Sequence, residues 1–303
     1  MSVVFTLNPK YVFGRRKPSG VSTANQGFTL RGDNGRAVIL IHGLTGTPVE
    51  MKTLAQFLNR KGYTVFCPSL ANHGEAIEVL KNTRWQEFYE SVRKVITEGE
   101  AADFRGPIFA SGLSMGALLA LLLAEEFKDR VRGVSCLAPT LFYDGWNTPN
   151  SKFFLPLGYK TFIKYLFYFK EEPPYGIKNE VIRERIHKYY VNAKFDDMGN
   201  VGQYGYPYFP VTLLYQLQLL VKYLIKRLPN IQTPVQLIQA KDDDMTSSKN
   251  SKFIYDKVSS EMKEMVFIYN SYHIITADHE RDIVAEKAEA FFDRISSGVK
   301  AGV

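Results

Sequence analysis

The stretch Phe109–Leu122, FASGLSMGALLALL, sets one serine, Ser114, between two glycines where a short apolar run passes into a longer one. A Gly-x-Ser-x-Gly frame can present a nucleophile when the serine sits on a strained strand-to-helix turn, because only glycine lets the neighbouring backbone pass close enough. With 22 glycines in 303 residues the frame also arises by chance, so its surroundings decide. PIFAS before it reads as a short buried strand and MGALLALLLAEEF after it as a helix, which is the context a nucleophile elbow needs.

Outward from the elbow the alternation repeats. Ala37–Gly43 (AVILIHG), TVFCPSL, VRGVSCLAP, PVQLIQA and KEMVFIYN are short apolar runs suited to buried strands. Between them lie helical patterns. PVEMKTLAQFLNRKG has Pro48 near its first turn, Met51, Leu54, Phe57 and Leu58 at helical spacing, and Gly62 as its stop. RWQEFYESVRKVITEG, SSKNSKFIYDKVSS and RDIVAEKAEAFFDRI complete the set. Such alternation predicts an α/β fold, a mostly parallel central sheet flanked by helices on both faces.

The pattern breaks after Pro139 and resumes near Pro234. The expected organisation is a first core part over 1–139, an aromatic-rich inserted helical cap over 140–209, and a second core part over 210–303. The insertion carries Phe142, Tyr143, Trp146, Phe153, Phe154, Tyr159, Phe162, Tyr165, Phe167, Tyr168 and Phe169. An amphipathic helix, VTLLYQLQLLVKYLIKRL, follows between Pro210 and Pro229. It is expected to face a core; its Lys222, Lys226 and Arg227 beside many leucines leave a peripheral membrane contact as the second reading.

Composition narrows the classes. At 45% hydrophobic and 23% charged residues the chain can bury a sizeable core. The net charge of +7 is spread with acids interleaved, as in EEFKDRVRG, which argues against nucleic-acid binding. Cys67 and Cys136 each lie in a strand-like apolar run and are expected to be buried thiols. The opening MSVVFTLNPKYVFGRR has neither a basic region ahead of its apolar stretch nor a small-residue cleavage site, and MGALLALLLA is far shorter than the roughly 20 residues that span a bilayer. A soluble, cytoplasmic protein is the expectation.

A serine hydroxyl needs a base to take its proton and an acid to orient that base. The strand VQLIQA runs into KDDDM, placing Asp242, Asp243 and Asp244 at the carboxyl end of a sheet strand, the edge where α/β sheets carry their sites. The next strand runs into SYHIITAD, which brings His273 to the same edge before the last helix. His42 and His73 precede glycines in loops, His187 lies in a helical pattern and His279 at the start of the final helix; structural or solvent roles suit these four. Two backbone donors for a tetrahedral oxyanion would come from Met115, after the nucleophile, and Leu44, in the HGLTG turn.

ILIHGLTGTP, GLSMG, QAKDDDM and SYHIITADHERD together resemble the motifs of bacterial carboxylesterases and monoacylglycerol lipases of the α/β-hydrolase superfamily, from about Ala37 to Ile295. The resemblance implies the α/β-hydrolase fold and places the catalytic acid at Asp243 rather than its neighbours. Ser114 is then the nucleophile, His273 the general base and acid, and Leu44 with Met115 the oxyanion hole. His73-Gly74 and Trp85 are similar to a His-Gly and a tryptophan of that family. The insertion here is longer and more aromatic than the small caps of the family, and a capped apolar site favours a medium-chain acyl ester, a monoacylglycerol or an aromatic ester over a sugar or peptide. No metal or organic cofactor is expected. A thioesterase, amidase or acyltransferase would use the same triad, and a non-catalytic ligand-binding protein could keep the pocket alone; a dehalogenase would need a carboxylate where Ser114 stands.

Overall fold

The five residues of AVILI alternate between two hydrophobic cores: Ala37, Ile39 and Ile41 face one, Val38 and Leu40 the other. This period of two is why the run appears continuously apolar in sequence, since a strand covered on both faces has no polar side. The structure, a computed structural model, describes residues 26–149, 155–192 and 205–298. Its elements are β1 (Phe28–Leu30), β2 (Ala37–Ile41), α1 (Lys52–Arg60), β3 (Thr64–Cys67), α2 (Ile77–Leu80), α3 (Trp85–Thr97), β4 (Ile108–Leu113), α4 (Met115–Glu126) and β5 (Val131–Leu137). Then come α5 (Leu155–Tyr159), β6 (Tyr168–Lys170), α6 (Glu180–Asn192), β7 (Tyr208–Pro210), α7 (Val211–Ile225), β8 (Val235–Ala240), α8 (Lys249–Lys257), β9 (Lys263–Ile268) and α9 (Arg281–Ser296).

Seven strands form the central sheet in the order β1-β3-β2-β4-β5-β8-β9. All neighbours are parallel except β1, which pairs antiparallel with β3 at the edge. The three residues of β1 are at best half-buried, so no apolar run announces this strand in the sequence. On one face lie α3, α4, α7 and α8, whose buried residues join the larger core; α1 and α9 cover the other. α4 is apolar all round because it is enclosed by β4 and β5 on one side and α3 and α7 on the other. Cys67 and Cys136 are buried free thiols, and burial pushes both pKa values up.

Between β5 and β8 the chain leaves the sheet. Besides helices this insertion holds a two-stranded antiparallel ribbon, β6 with β7, pairing Tyr168 with Pro210 and Phe169 with Phe209, where the sequence pattern led us to expect helices alone. Its aromatics divide: Tyr159, Tyr168 and Phe169 are buried, while Phe142, Trp146, Phe162 and Tyr165 are exposed. Phe153 and Phe154, like the opening MSVVFTLNPKYVFGRR, lie outside the described residues. Tyr143, Leu155, Phe169, Phe209 and Leu214 line a small apolar cavity of about 30 Å³. α7 buries its leucines against α3 and α4, the core-facing arrangement its pattern predicts, and leaves Lys222 and Lys226 in solvent. Among the described residues no helix is long and apolar enough to cross a membrane.

Candidate active site

Ser114 stands between β4 and α4 with φ 58° and ψ −117°, a backbone conformation that non-glycine residues rarely hold. Both flanking glycines are dictated by space. A β-carbon on Gly116 would overlap the carbonyl oxygens of Ile41 and His42 at the end of β2, and one on Gly112 would overlap the backbone of Gly116. The turn can therefore be this sharp only with glycine at both places. Met115 is the first residue of α4, so its N–H has no partner within the helix. The Ser114 hydroxyl is hydrogen-bonded to the buried Thr140 hydroxyl at 2.8 Å.

The three aspartates after β8 separate by contact. Asp242 is exposed and pairs with Lys178 at 2.9 Å. Asp243 is buried and takes His273 Nδ1 at 2.9 and 3.1 Å with its two oxygens. It also accepts bonds from Gln239 Nε2, the Thr246 hydroxyl, and the N–H groups of Met245 and Thr246, at 2.7 to 3.0 Å. So many donors hold the carboxylate in one orientation. Asp244 instead accepts from His273 N–H at 3.3 Å and Gly176 N–H at 3.2 Å, tying the histidine loop to the insertion. Burial disfavours an imidazolium at His273, but the charge and hydrogen bond of Asp243, with Asp244 and Glu50 behind it, outweigh burial and raise its pKa above 6.5. Among the described residues His273 Nε2 is buried without a hydrogen-bond partner.

Three side chains fasten three successive peptides of the HGLTG turn. Gly43 N–H donates to Glu50 Oε1. His42 Nδ1–H donates to Gly43 O at 3.0 Å, and its Nε2 accepts Leu70 N–H at 3.1 Å. His73 Nε2–H donates to Leu44 O at 2.8 Å. Gly43 O and Leu44 N–H belong to one rigid peptide plane, so the His42 bond also sets where Leu44 N–H points. Burial lowers the pKa of both histidines, His42 strongly, and keeps them neutral.

The insertion reaches into this edge. Gly176, with φ 70°, accepts Ile274 N–H at 2.8 Å, and the N–H groups of Lys178 and Asn179 donate to buried Asp278 at 2.7 and 2.8 Å. On the opposite side Tyr206 N–H donates to Thr45 O at 3.0 Å, and its hydroxyl accepts Gly74 N–H at 2.8 Å. Glu171, just past β6, is buried and hydrogen-bonded to Tyr190; burial, aided by the nearby Asp244 charge, pushes its carboxyl up to about 8. Burial likewise lifts Glu50 to about 7 and Asp244 to about 6.

The structure thus places Ser114, Asp243, His273, Leu44 and Met115 at the carboxyl edge of the sheet and joins Asp243 to His273, while the Ser114 hydroxyl turns to Thr140. His187 is paired with the Tyr175 hydroxyl at 2.7 Å and His279 is exposed just ahead of α9. Sequence reasoning missed Thr140, Thr246, Gln239, Glu50 and Glu171. Only Thr140, which follows the Ala-Pro at the end of a predicted strand, stood where the sheet-edge rule could have drawn attention to it.

A mostly parallel seven-stranded sheet, a strained serine elbow and an Asp–His pair at the same edge define an α/β-hydrolase. Within that class the chain belongs to the Hydrolase_4 family, described as serine aminopeptidase, S33, which it matches over residues 32–280. It is 28% identical over 257 residues to a thermostable monoacylglycerol lipase of Bacillus sp. (strain H-257), covering 84% of this chain and 89% of that one. It is 24% identical over 268 residues to a carboxylesterase of Bacillus subtilis (strain 168), covering 88% and 96%. A metagenome-derived lipolytic enzyme has the same fold, with a TM-score of 0.74 at 24% identity over 91% of this chain and 100% of that one. The protein is a hydrolase of the esterase and lipase type.

Proposed function

We propose that the protein hydrolyses carboxylic esters through Ser114, His273 and Asp243. The observation that carries this reading is the Asp243–His273 pair at 2.9 Å, which leaves Nε2 unpartnered at the edge where the elbow presents Ser114. The Ser114 hydroxyl swings from Thr140 toward Nε2, gives it the proton, and Oγ bonds the ester carbonyl carbon while the carbonyl oxygen takes the negative charge. Leu44 and Met115 N–H groups receive that oxyanion. Collapse of the intermediate breaks the ester C–O bond, and His273 returns the proton to the departing alcohol. Water then attacks the acyl-enzyme by the same route and frees the acid, restoring Ser114.

Residues 140–209 act as a cap over this edge in our reading. Their pinning to Asp278, Asp244 and Thr45 and their apolar side chains support it, as do relatives named for monoacylglycerol and carboxylic ester hydrolysis. The substrate class that fits is a medium-chain acyl ester or monoacylglycerol. Labelling with a fluorophosphonate tests the nucleophile: wild type is expected to label and Ser114→Ala not to, with ester turnover falling by about 10⁵-fold or more. An ester panel of graded acyl length, with thioester and aminoacyl-amide arms, tests the substrate. Preference for very short or charged acyl groups, or for amides, overturns the substrate reading while leaving the nucleophile standing.

A further inference from the structure

Glu50 lies in the single helical turn Pro48–Met51 that leads into α1, a place where an acid ordinarily faces solvent and complements the helix dipole. Here it turns inward. Its Oε1 accepts Gly43 N–H, and its carboxyl fills the space beside Gly46 so closely that a β-carbon there would overlap it. The point that a β-carbon on Gly43 would occupy lies 3.3 Å from Glu50 Oε1 and 3.6 Å from Ser114 Cβ. The carboxyl thus sits one residue's width from the nucleophile, fastening the peptide that precedes the Leu44 donor.

We infer that Glu50 is a positioning residue for the oxyanion loop that works as a neutral carboxylic acid, and that its ionisation weakens the hole; this rests on the serine hydrolase reading above. The role of acceptor for Gly43 N–H needs one oxygen lone pair, which a neutral carboxyl retains, although the bond itself favours the carboxylate and burial has to outweigh it. A carboxylate adds a negative charge across a single glycine from the place where the oxyanion forms.

The groups that face Glu50 do little to hold a charge on it. Cys67 on β3 is a protonated thiol, and Glu171, just past β6, and Tyr190, on α6, are acids. The imidazole of His273 is the cationic partner within reach, and it is already bound by Asp243. Arg185 on α6 and Arg281 on α9 line, with Glu50, a cavity of about 250 Å³ that opens to solvent. Among the described residues neither arginine pairs with Glu50, whose one hydrogen-bond donor is Gly43 N–H. Burial accordingly lifts the carboxyl to about 7, so the neutral form is well populated at neutral pH and is lost above it.

The test is a pair of variants, Glu50→Gln and Glu50→Ala, assayed with an activated ester from pH 6 to pH 9, with fluorophosphonate titration of active sites and circular dichroism at each pH. The wild-type kcat is expected to fall above neutrality. Glu50→Gln keeps the acceptor without the charge, so its kcat relative to wild type should climb by about 10-fold from pH 6 to pH 9. Glu50→Ala loses the acceptor and should lower kcat by about 10- to 100-fold at every pH with KM within about twofold, the signature of a displaced oxyanion donor. A wild-type kcat with no alkaline decline, a Glu50→Gln profile parallel to wild type, or a Glu50→Ala enzyme as fast as wild type would each overturn the inference. Absence of Ser114-dependent labelling in wild type would instead remove the serine hydrolase reading and the inference with it.

Discussion

His42 on the loop after β2, His73 on the loop after β3 and His273 on the loop after β9 are all buried at one edge of one sheet, yet they differ in charge behaviour. Burial lowers the pKa of the first two, because their partners are backbone groups and each other. The third sits against a carboxylate that is itself held by four further donors, and its pKa rises despite equal burial. Desolvation is common to the three sites, so the difference lies in whether a fixed negative charge faces the ring. One kind of residue therefore sits as a neutral clamp in the first two loops and as a ring that favours its proton in the third.

Asp243→Asn removes the difference at its source. Without the carboxylate His273 becomes another buried neutral ring, and kcat should fall by about 10⁴-fold. In the proposed mechanism neutral His273 is the reactive form, so on the acid limb of the profile wild-type kcat/KM should rise through an apparent pKa above 6.5, and the variant's residual activity should rise through a lower one. Identical limbs would show that Asp243 does not set the charge of His273.

His73→Ala, on the loop after β3, frees Leu44 O and should lower kcat by about 10²-fold while costing about 1–3 kcal/mol of stability. Steady-state kinetics and denaturant unfolding read the two effects separately. A loss of stability with kcat intact would mean that His73 braces the fold but not the oxyanion loop.

The smallest effect expected concerns Glu171, an acid carried into the same edge by the insertion. Its folded pKa of about 8 lies above the value of 4.5 it has when free, so the folded state holds a proton that the unfolded state releases between those pH values. Its contribution therefore erodes stability as pH climbs from about 4.5 to about 8 and is constant below that window. Glu171→Gln should leave the melting temperature near wild type at pH 5 and raise it by about 5 °C at pH 8.5. Parallel melting curves at both pH values would refute the buried charge penalty.

Much of this site was legible before any coordinates. The elbow, the strand ending in KDDDM and the strand ending before SYHII are local patterns, and a parallel sheet sends the ends of such strands to one edge whatever the remaining chain does. The sheet-edge rule left Asp242, Asp243 and Asp244 equivalent; contacts from Thr246, Gln239 and His273 distinguish them in the structure. Thr140 lies 26 positions from Ser114, and Glu50 looks like an ordinary first-turn acid. Neither carries a periodicity or motif. The strand β1 and the β6–β7 ribbon also escaped notice, because three residues of mixed burial are too few to establish a period of two.

The sequence by itself determined the α/β layering, the serine on its glycine-framed turn and the chain order of Ser114, the aspartates after β8 and His273. These follow from backbone sterics and from the alternation of buried side chains, which act over a few residues. The tertiary structure alone decided the ionisation of the buried histidines and acids, the partner of the Ser114 hydroxyl, and the inward turn of Glu50. Those depend on desolvation and on neighbours brought together by folding, such as Asp244 beside Gly176 and Tyr190 beside Glu171. Field and solvation at a point are set by all the groups around it, and these become neighbours only when the chain has closed.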